Sequence, residues 1–229
     1  NRGMIPILVG GTGFYIQAVL NDIAFTKEKQ GDEIRADLQN LAKEKGASYL
    51  HHELQKVDKE SAEAIHPNNI KRVIRALEYF QSTGQKFSDH NKEERQKGSP
   101  YNFLYLVLTM NRKVLYERID KRVDQMMEEG LVKEVKQLLD AGYSRNLVSM
   151  QGLGYKEIAS ALFKECTMEE AVYRLKRDTR HFAKRQMTWF RRERDVTMIN
   201  KDDFLNNHEI VNYIMKLAVE KGICSCREG

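Results

Sequence analysis

Short apolar runs alternate along the chain with long stretches of helical period. Met4-Ile5-Pro6-Ile7-Leu8-Val9 is a continuous apolar run of strand length, and Ile5 to Val9 reads as a buried strand. It leads into Gly10-Gly11-Thr12-Gly13 and an apolar helix from Phe14 to Leu20. Strand, glycine turn and helix start together make an α/β unit. From about Thr26 to Pro100 the helical period takes over. Ile34, Leu38 and Leu41 recur at spacings of four and three, with Asp32 as N-cap and Gly46 as stop. A second helix spans about Ser48 to Val57. Pro67-Asn68-Asn69 opens a third, with Ile70, Val73, Ile74, Leu77 and Phe80 on one face and Gly84 at its end. Ser88 to Pro100 is polar and predicts a loop.

Phe103 to Leu108 returns to a buried-strand pattern. One long helix is predicted from about Lys113 to Ala141 with Gly130 inside it, then a helix from near Gly154 and another from about Thr167 to Arg192. Val196 to Ile199 is a short strand, and Asp202 to Lys221 a closing helix. The pattern predicts an α/β core with a parallel sheet, formed by residues 1–25 and 101–229, and an all-helical insertion over 26–100. A doubly wound sheet needs more strands than these residues supply. Roughly 80–100 further residues upstream, bearing a strand and a phosphate loop, are therefore expected.

Composition narrows the function classes. With 41% hydrophobic and 31% charged residues the chain forms a core and is not disordered. Three prolines in 229 residues fit a helix-rich fold. No apolar run approaches the roughly 20 residues of a membrane-spanning helix. The cysteines, Cys166, Cys224 and Cys226, make no disulfide framework and no zinc spacing, so a reducing cytoplasm is expected. The net charge of +5 is mild but concentrated. Nine Lys/Arg against two Asp/Glu lie between Arg174 and Arg194, leaving the rest of the chain slightly acidic. A polyanion is the partner to look for on that segment.

Four places carry candidate chemistry. The Gly10-Gly11-Thr12-Gly13 turn sits where a strand meets a helix N-terminus, and there backbone N–H groups favour anions. A plain βα turn with a Thr cap would look the same. On the Arg174–Arg194 helix, Val172, Leu175, Thr179, Phe182, Ala183, Gln186 and Phe190 fall on one side. Arg177, His181, Lys184, Thr188 and Arg191 fall opposite, flanked by Arg174 and Arg180. Few acids are interleaved, which favours phosphate binding over a solvated face. Lys71, Arg72 and Arg75 lie away from the apolar stripe of their own helix. Arg122 edges the stripe Leu115, Ile119, Met126, so it should meet either an anionic ligand or a core carboxylate. His51, His52 and His66 lack metal-ligand spacing and read as satisfied helix residues, and Met126-Met127 reads as core filler.

Taken in order, four stretches resemble the tRNA dimethylallyltransferase (tRNA isopentenyltransferase) family. They are Ile7 to Tyr15 (ILVGGTGFY), His66 to Glu78 (HPNNIKRVIRALE), Gln151 to Lys156 (QGLGYK) and Thr179 to Arg191 (TRHFAKRQMTWFR). The resemblance implies a P-loop nucleoside-triphosphatase-like core with a helical insertion. It implies transfer of a dimethylallyl group from dimethylallyl diphosphate to the exocyclic amine of the adenine 3′ of the tRNA anticodon, with Mg2+ on the diphosphate. It places the family's phosphate loop and catalytic aspartate upstream of these residues, so the 229 residues by themselves are expected to be inactive. Carried over by motif, Thr12 would contact the adenine, and Gly10, Gly11 and Arg122 would face the diphosphate. Arg35, Lys71, Arg72 and Arg75, then Gln151, Gly152, Gly154, Tyr155 and Lys156, and finally Lys184, Arg185, Gln186, Thr188 and Arg191 would touch tRNA. The partners implied are the tRNA anticodon stem-loop and dimethylallyl diphosphate, without a membrane, in a monomer. The competing readings are an adenylate isopentenyltransferase acting on free nucleotide, a phosphate-loop kinase of small molecules and a non-catalytic helical RNA-binding protein.

Overall fold

Burial separates two sets of helices. A computed structural model describes residues 4–23 and 31–225. The chain divides into two compact units, residues 14–101 and residues 1–13 with 102–229. The sequence had set the first boundary at 25/26, and the division falls earlier, at Gly13/Phe14, at the start of α1 (Gly13–Leu20). Cys226 lies outside the described residues.

In residues 14–101 the elements after α1 are α2 (Gly31–Lys45), α3 (Ala47–Val57), α4 (Lys59–Ala64), α5 (Ile70–Thr83) and α6 (Phe87–Gln96). Leu38, Leu50, Leu54, Ala62, Ile65, Val73, Ile74 and Leu77 form their core, as the i, i+3, i+4 spacing in α2, α3 and α5 requires. Gly84 closes α5 as expected. α2 begins at Gly31, and the side chain of Asp32, expected as its cap, lies outside what the structure describes. His51 reaches the carbonyls of Ala62 and Ile65 through Nε2, both at 2.9 Å, a satisfied helix histidine.

Two features of this unit depart from the sequence pattern. α4 is a single extra turn-and-a-half, started by Asp58, whose carboxylate accepts from Ser61 N at 3.0 Å. Residues 87–96, expected as loop, are helical. Their composition is polar, and the helix is held by what it touches. Tyr79 meets the Phe87 ring edge-on and stacks on His90, and Ser88 N donates to the second oxygen of Asp58 at 2.9 Å. One buried carboxylate thus caps α4 and pins the start of α6.

The other unit holds a two-stranded parallel sheet. β1 (Tyr105–Thr109) pairs with β2 (Val196–Asn200), Tyr105 opposite Val196 through Thr109 opposite Asn200. Between them run α7 (Arg112–Glu128), α8 (Leu131–Asp140), a 3-10 turn at Ser149–Gln151, α9 (Tyr155–Leu162) and α10 (Met168–Phe190). α11 (Asn207–Glu220) follows β2, starting five residues later than expected because Asn206 supplies its cap. The single helix predicted over 113–141 is two. Gly130 has φ +100°, a left-handed conformation that ends α7 and redirects the chain into α8. Val123, Leu131, Val135, Met150, Ile158, Ala171 and Leu175 form the core on α7–α10, with Met126 and Met127 packed against it.

The strand expected at Ile5–Val9 is not formed. The segment is irregular, with Ile7 84% and Val9 88% exposed. An apolar strand is buried only when neighbours hydrogen-bond its edges and helices cover its faces. Among the described residues the sheet consists of β1 and β2, which pair with each other. β1 itself is buried on one face: Tyr105 and Val107 point inward, while Leu108 is exposed.

Burial alone would raise the Asp58 pKa, but the hydrogen bonds from Ser61 and Ser88 outweigh it and hold the carboxyl below its ordinary 3.8. Asp58→Ala should therefore cost about 1–2 kcal/mol of stability in denaturant melts near neutral pH. The depressed pKa gives a stabilisation present above pH 3.8 and lost as pH falls below it. The gap between wild type and variant should close in acid, and a gap that widened there would contradict this account.

Candidate functional site

The glycine turn and α10 are built against each other. Gln186 Nε2 donates to the Gly11 carbonyl at 2.7 Å. A Cβ on Gly13 would overlap the indole of Trp189, and one on Gly11 would overlap the Gln186 amide. The GGTG spacing therefore serves close approach to one helix face. Thr12, exposed, is the last residue before α1 and lies between these two contacts. Gln186 supports the turn instead of presenting a free amide to RNA.

α10 starts with a capping box: Thr167 Oγ1 accepts from Glu170 N, and the Glu170 carboxylate accepts from Thr167 N, both at 3.1 Å. Its first half buries Ala171 and Leu175. Farther along, the face expected to be apolar is only partly covered, and Phe182 is exposed. Phe190 returns to the interior, edge-on to Tyr105. Burial pushes the Tyr105 hydroxyl up to about 12, with the Glu193 charge adding to the shift, and the same burial raises Glu193.

The cations of α10 divide into two groups. Arg180 Nη1 donates to both carboxylate oxygens of Asp120, at 2.5 and 2.7 Å, and Lys176 pairs with Asp124 at 2.6 Å. The acids missing from α10's own sequence stand on α7, one turn apart. Lys184, Arg185 and Arg191 are exposed and make no ion pair among the described residues. Arg185 lies 5.8 Å from the Phe182 ring. Thr188 turns its hydroxyl to the Lys184 carbonyl at 3.0 Å.

Gln151 and Lys156, the two ends of their matching stretch, line a groove of about 530 Å³ that also takes in Arg145, Arg174 and Arg177. Gln151 Nε2 is held by the Arg145 carbonyl at 2.6 Å, and the Tyr155 hydroxyl by Glu134, which raises the Tyr155 pKa. Gly152 and Gly154 shape the entry into α9. Lys156 keeps an exposed side chain beside Glu157, 3.4 Å away.

Arg122 corrects the sequence reading. It is 60% exposed and reaches only Glu129 Oε2, at 3.7 Å. Val123, one residue on, is the buried member of this turn, so the stripe passes beside Arg122 and no core carboxylate meets it. In residues 14–101, Lys71 and Arg72 are exposed, but Arg35 and Arg75 are drawn to a carboxylate the sequence did not single out. Glu78 is 1% exposed; Arg35 Nη2 donates to it at 2.8 Å and Arg75 Nη1 at 3.5 Å. Arg35, Lys71, Arg75 and Glu78 border a groove of about 590 Å³ floored by Ile70 and Ile74.

Among the described residues, no three His, Cys, Asp or Glu side chains converge, so they build no metal cage. No helix among them is long and apolar enough to cross a membrane.

The model of one family, IPP transferase, matches residues 1–193. The chain belongs to this family. As an IPP transferase family member it is 56% identical over 223 residues to a tRNA dimethylallyltransferase of Lachnoclostridium phytofermentans, covering 97% of this chain and 71% of the relative. It is 47% identical, with the same coverage, to the tRNA dimethylallyltransferase of Acetivibrio thermocellus. Among solved structures it resembles the full-length tRNA isopentenylpyrophosphate transferase of Bacillus halodurans, with a TM-score of 0.63 and 43% identity over 96% of this chain and 69% of the other. A eukaryotic dimethylallyltransferase acting on tRNA aligns with a TM-score of 0.75 and 26% identity, over 99% of this chain and 59% of the other. The helix-rich IPP transferase architecture with a small parallel sheet is what the sequence pattern predicted.

The lone tryptophan makes the turn measurable. Gly13→Ala should displace Trp189, shift its fluorescence emission and cost about 1–3 kcal/mol, the range for overpacking. Gly11→Ala meets only a flexible amide and should leave the emission near wild type. Unchanged emission in Gly13→Ala would show that the indole does not rest on the turn.

Proposed function

We propose that this protein transfers the dimethylallyl group of dimethylallyl diphosphate to the exocyclic amine of the adenine 3′ of the tRNA anticodon. The carbon–oxygen bond to diphosphate breaks, a carbon–nitrogen bond forms, and the amine gives up a proton. The observation that carries this reading is the joining of exposed, unpaired cations on α10 to the glycine turn through Gln186, in a chain whose relatives carry the name tRNA dimethylallyltransferase.

Lys184, Arg185 and Arg191 take phosphates of the RNA, which fixes its register. The adenine leaves its stack and enters at Thr12. Lys156 and the backbone of Gly152 to Tyr155 extend the RNA surface, with Lys71 and Arg72 contributing from the helical insertion of residues 26–100. Arg35 and Arg75 act there chiefly by shaping the surface, since Glu78 already engages both. Gly10, Gly11 and Arg122 face the diphosphate. The Arg122–Glu129 pair is exposed and long, so Arg122 exchanges it readily for a diphosphate oxygen. Negative charge grows on the departing diphosphate, so a guanidinium there stabilises the transition state more than the ground state. A divalent ion such as Mg2+ would offset the charge of the diphosphate. These substrates place the enzyme in the cytoplasm.

The test is transfer of label from radiolabelled dimethylallyl diphosphate by the purified full-length protein, with tRNA or adenosine monophosphate as acceptor. Label in tRNA supports the reading; label in the free nucleotide alone would replace it with the adenylate reaction. Changing Lys184, Arg185 and Arg191 together to Ala should weaken tRNA binding and flatten its log–log salt dependence by about 0.7–0.9 for each lost phosphate contact. Arg122→Ala should lower turnover by about 10²–10³. Its melting curve should not move, because the side chain is exposed, and Arg122→Lys should recover part of the loss.

A further inference from the structure

The groove between α9 and the first half of α10 contains a buried carboxylate oxygen that its own fold leaves without a hydrogen bond, though in an ion pair with Lys156. Glu157 is 5% exposed and lines the groove. Its Oε2 accepts from Gly154 N at 2.9 Å and so starts α9. Its Oε1 is buried and receives no hydrogen bond, with Lys156 Nζ 3.4 Å away. A buried carboxylate oxygen without a donor is costly, and such atoms in native proteins call for a partner. Across the same groove Arg174 is exposed, and its guanidinium makes no ion pair or hydrogen bond among the described residues. The neighbouring cations are occupied: Arg177 holds Asp178 at 2.8 Å, and Arg145 holds Glu165 through two bonds.

A ligand that fits must offer a donor to Glu157 and an anion to Arg174 in one molecule. A nucleotide does both, since the exocyclic amine of cytosine, adenine or guanine donates to a carboxylate and a backbone phosphate meets a guanidinium. The volume of about 530 Å³ suits it, within the roughly 300–1,000 Å³ of small-ligand sites. We propose that this groove is a nucleotide-reading subsite: it takes one amine-bearing nucleotide of the substrate RNA, base edge on Glu157 and phosphate on Arg174. The inference rests on the tRNA reading above. It adds a second base contact, beside that of Thr12, to a surface otherwise made mainly of phosphate contacts.

The two residues should leave different signatures in the binding of a synthetic anticodon stem-loop RNA to the full-length protein, measured over a salt series. Arg174→Ala removes a phosphate contact, so binding weakens and the log–log salt slope falls by about 0.7–0.9. Glu157→Gln keeps a side chain that can still cap α9, which a melting curve checks. It replaces a charge-assisted bond by a neutral one, so affinity should fall about fivefold with the slope unchanged. If Glu157 serves only the helix start, removing its negative charge makes the surface more attractive to RNA, and Glu157→Gln binds as well as wild type or better. That result, or an unaltered slope in Arg174→Ala, overturns the subsite while wild-type binding leaves the tRNA reading standing. Failure of the wild-type protein to bind the stem-loop overturns both.

Discussion

The absence of a side chain at Gly13 is the constraint on which the site depends. Because nothing projects there, the Trp189 indole lies directly on the turn, and Gln186, one helical turn earlier, reaches the Gly11 carbonyl. The turn and the last turns of α10 are therefore a single construction, though more than 170 residues separate them in sequence. Thr12 is positioned between the two contacts. A side chain larger than hydrogen at residue 13 would open this joint, and the basic end of α10 would lose its fixed relation to the glycine turn.

α10 does three jobs along its length. Its start is set by the Thr167–Glu170 box and by buried Ala171 and Leu175. Its middle is tied to α7 through Arg180 and Lys176. Its end carries unpaired cations. Glu169 and Glu170 sit in the first turn and Arg191 is the C-cap, an arrangement that complements the helix dipole and offsets part of the repulsion among those cations.

Much of this was legible in the sequence where the cause is local. The stripe of α5, the stop at Gly84 and the basic density of α10 are properties of neighbouring residues. What was not legible depends on distant partners. α6 has no apolar period and is helical because Tyr79 and Asp58 meet it. Residues 5–9 are apolar enough for a strand, but a strand is a pairing, and no described segment pairs with them. The same holds for charge. Asp120 lies 60 residues from Arg180, and Glu78 lies 43 from Arg35. Sequence located the basic residues, and only the fold tells which of them are already engaged. Arg122 fell the other way because the apolar stripe of α7 runs through Val123 and leaves the Arg122 side chain in solvent.

The ion pairs between α7 and α10 also bear on how quickly RNA is found. A paired cation contributes little field a Debye length away, whereas an unpaired one attracts a polyanion before contact. By neutralising Lys176 and Arg180 and leaving Lys184, Arg185 and Arg191 bare, Asp120 and Asp124 weight the attractive field toward the C-terminal end of the helix, where three bare cations stand against the single Arg174 of its first half. Under the proposed function, an approaching RNA would then be turned toward the end that adjoins the glycine turn. Two aspartates that would never touch the RNA thereby bias the orientation of the encounter, and their influence would fade as ionic strength rises.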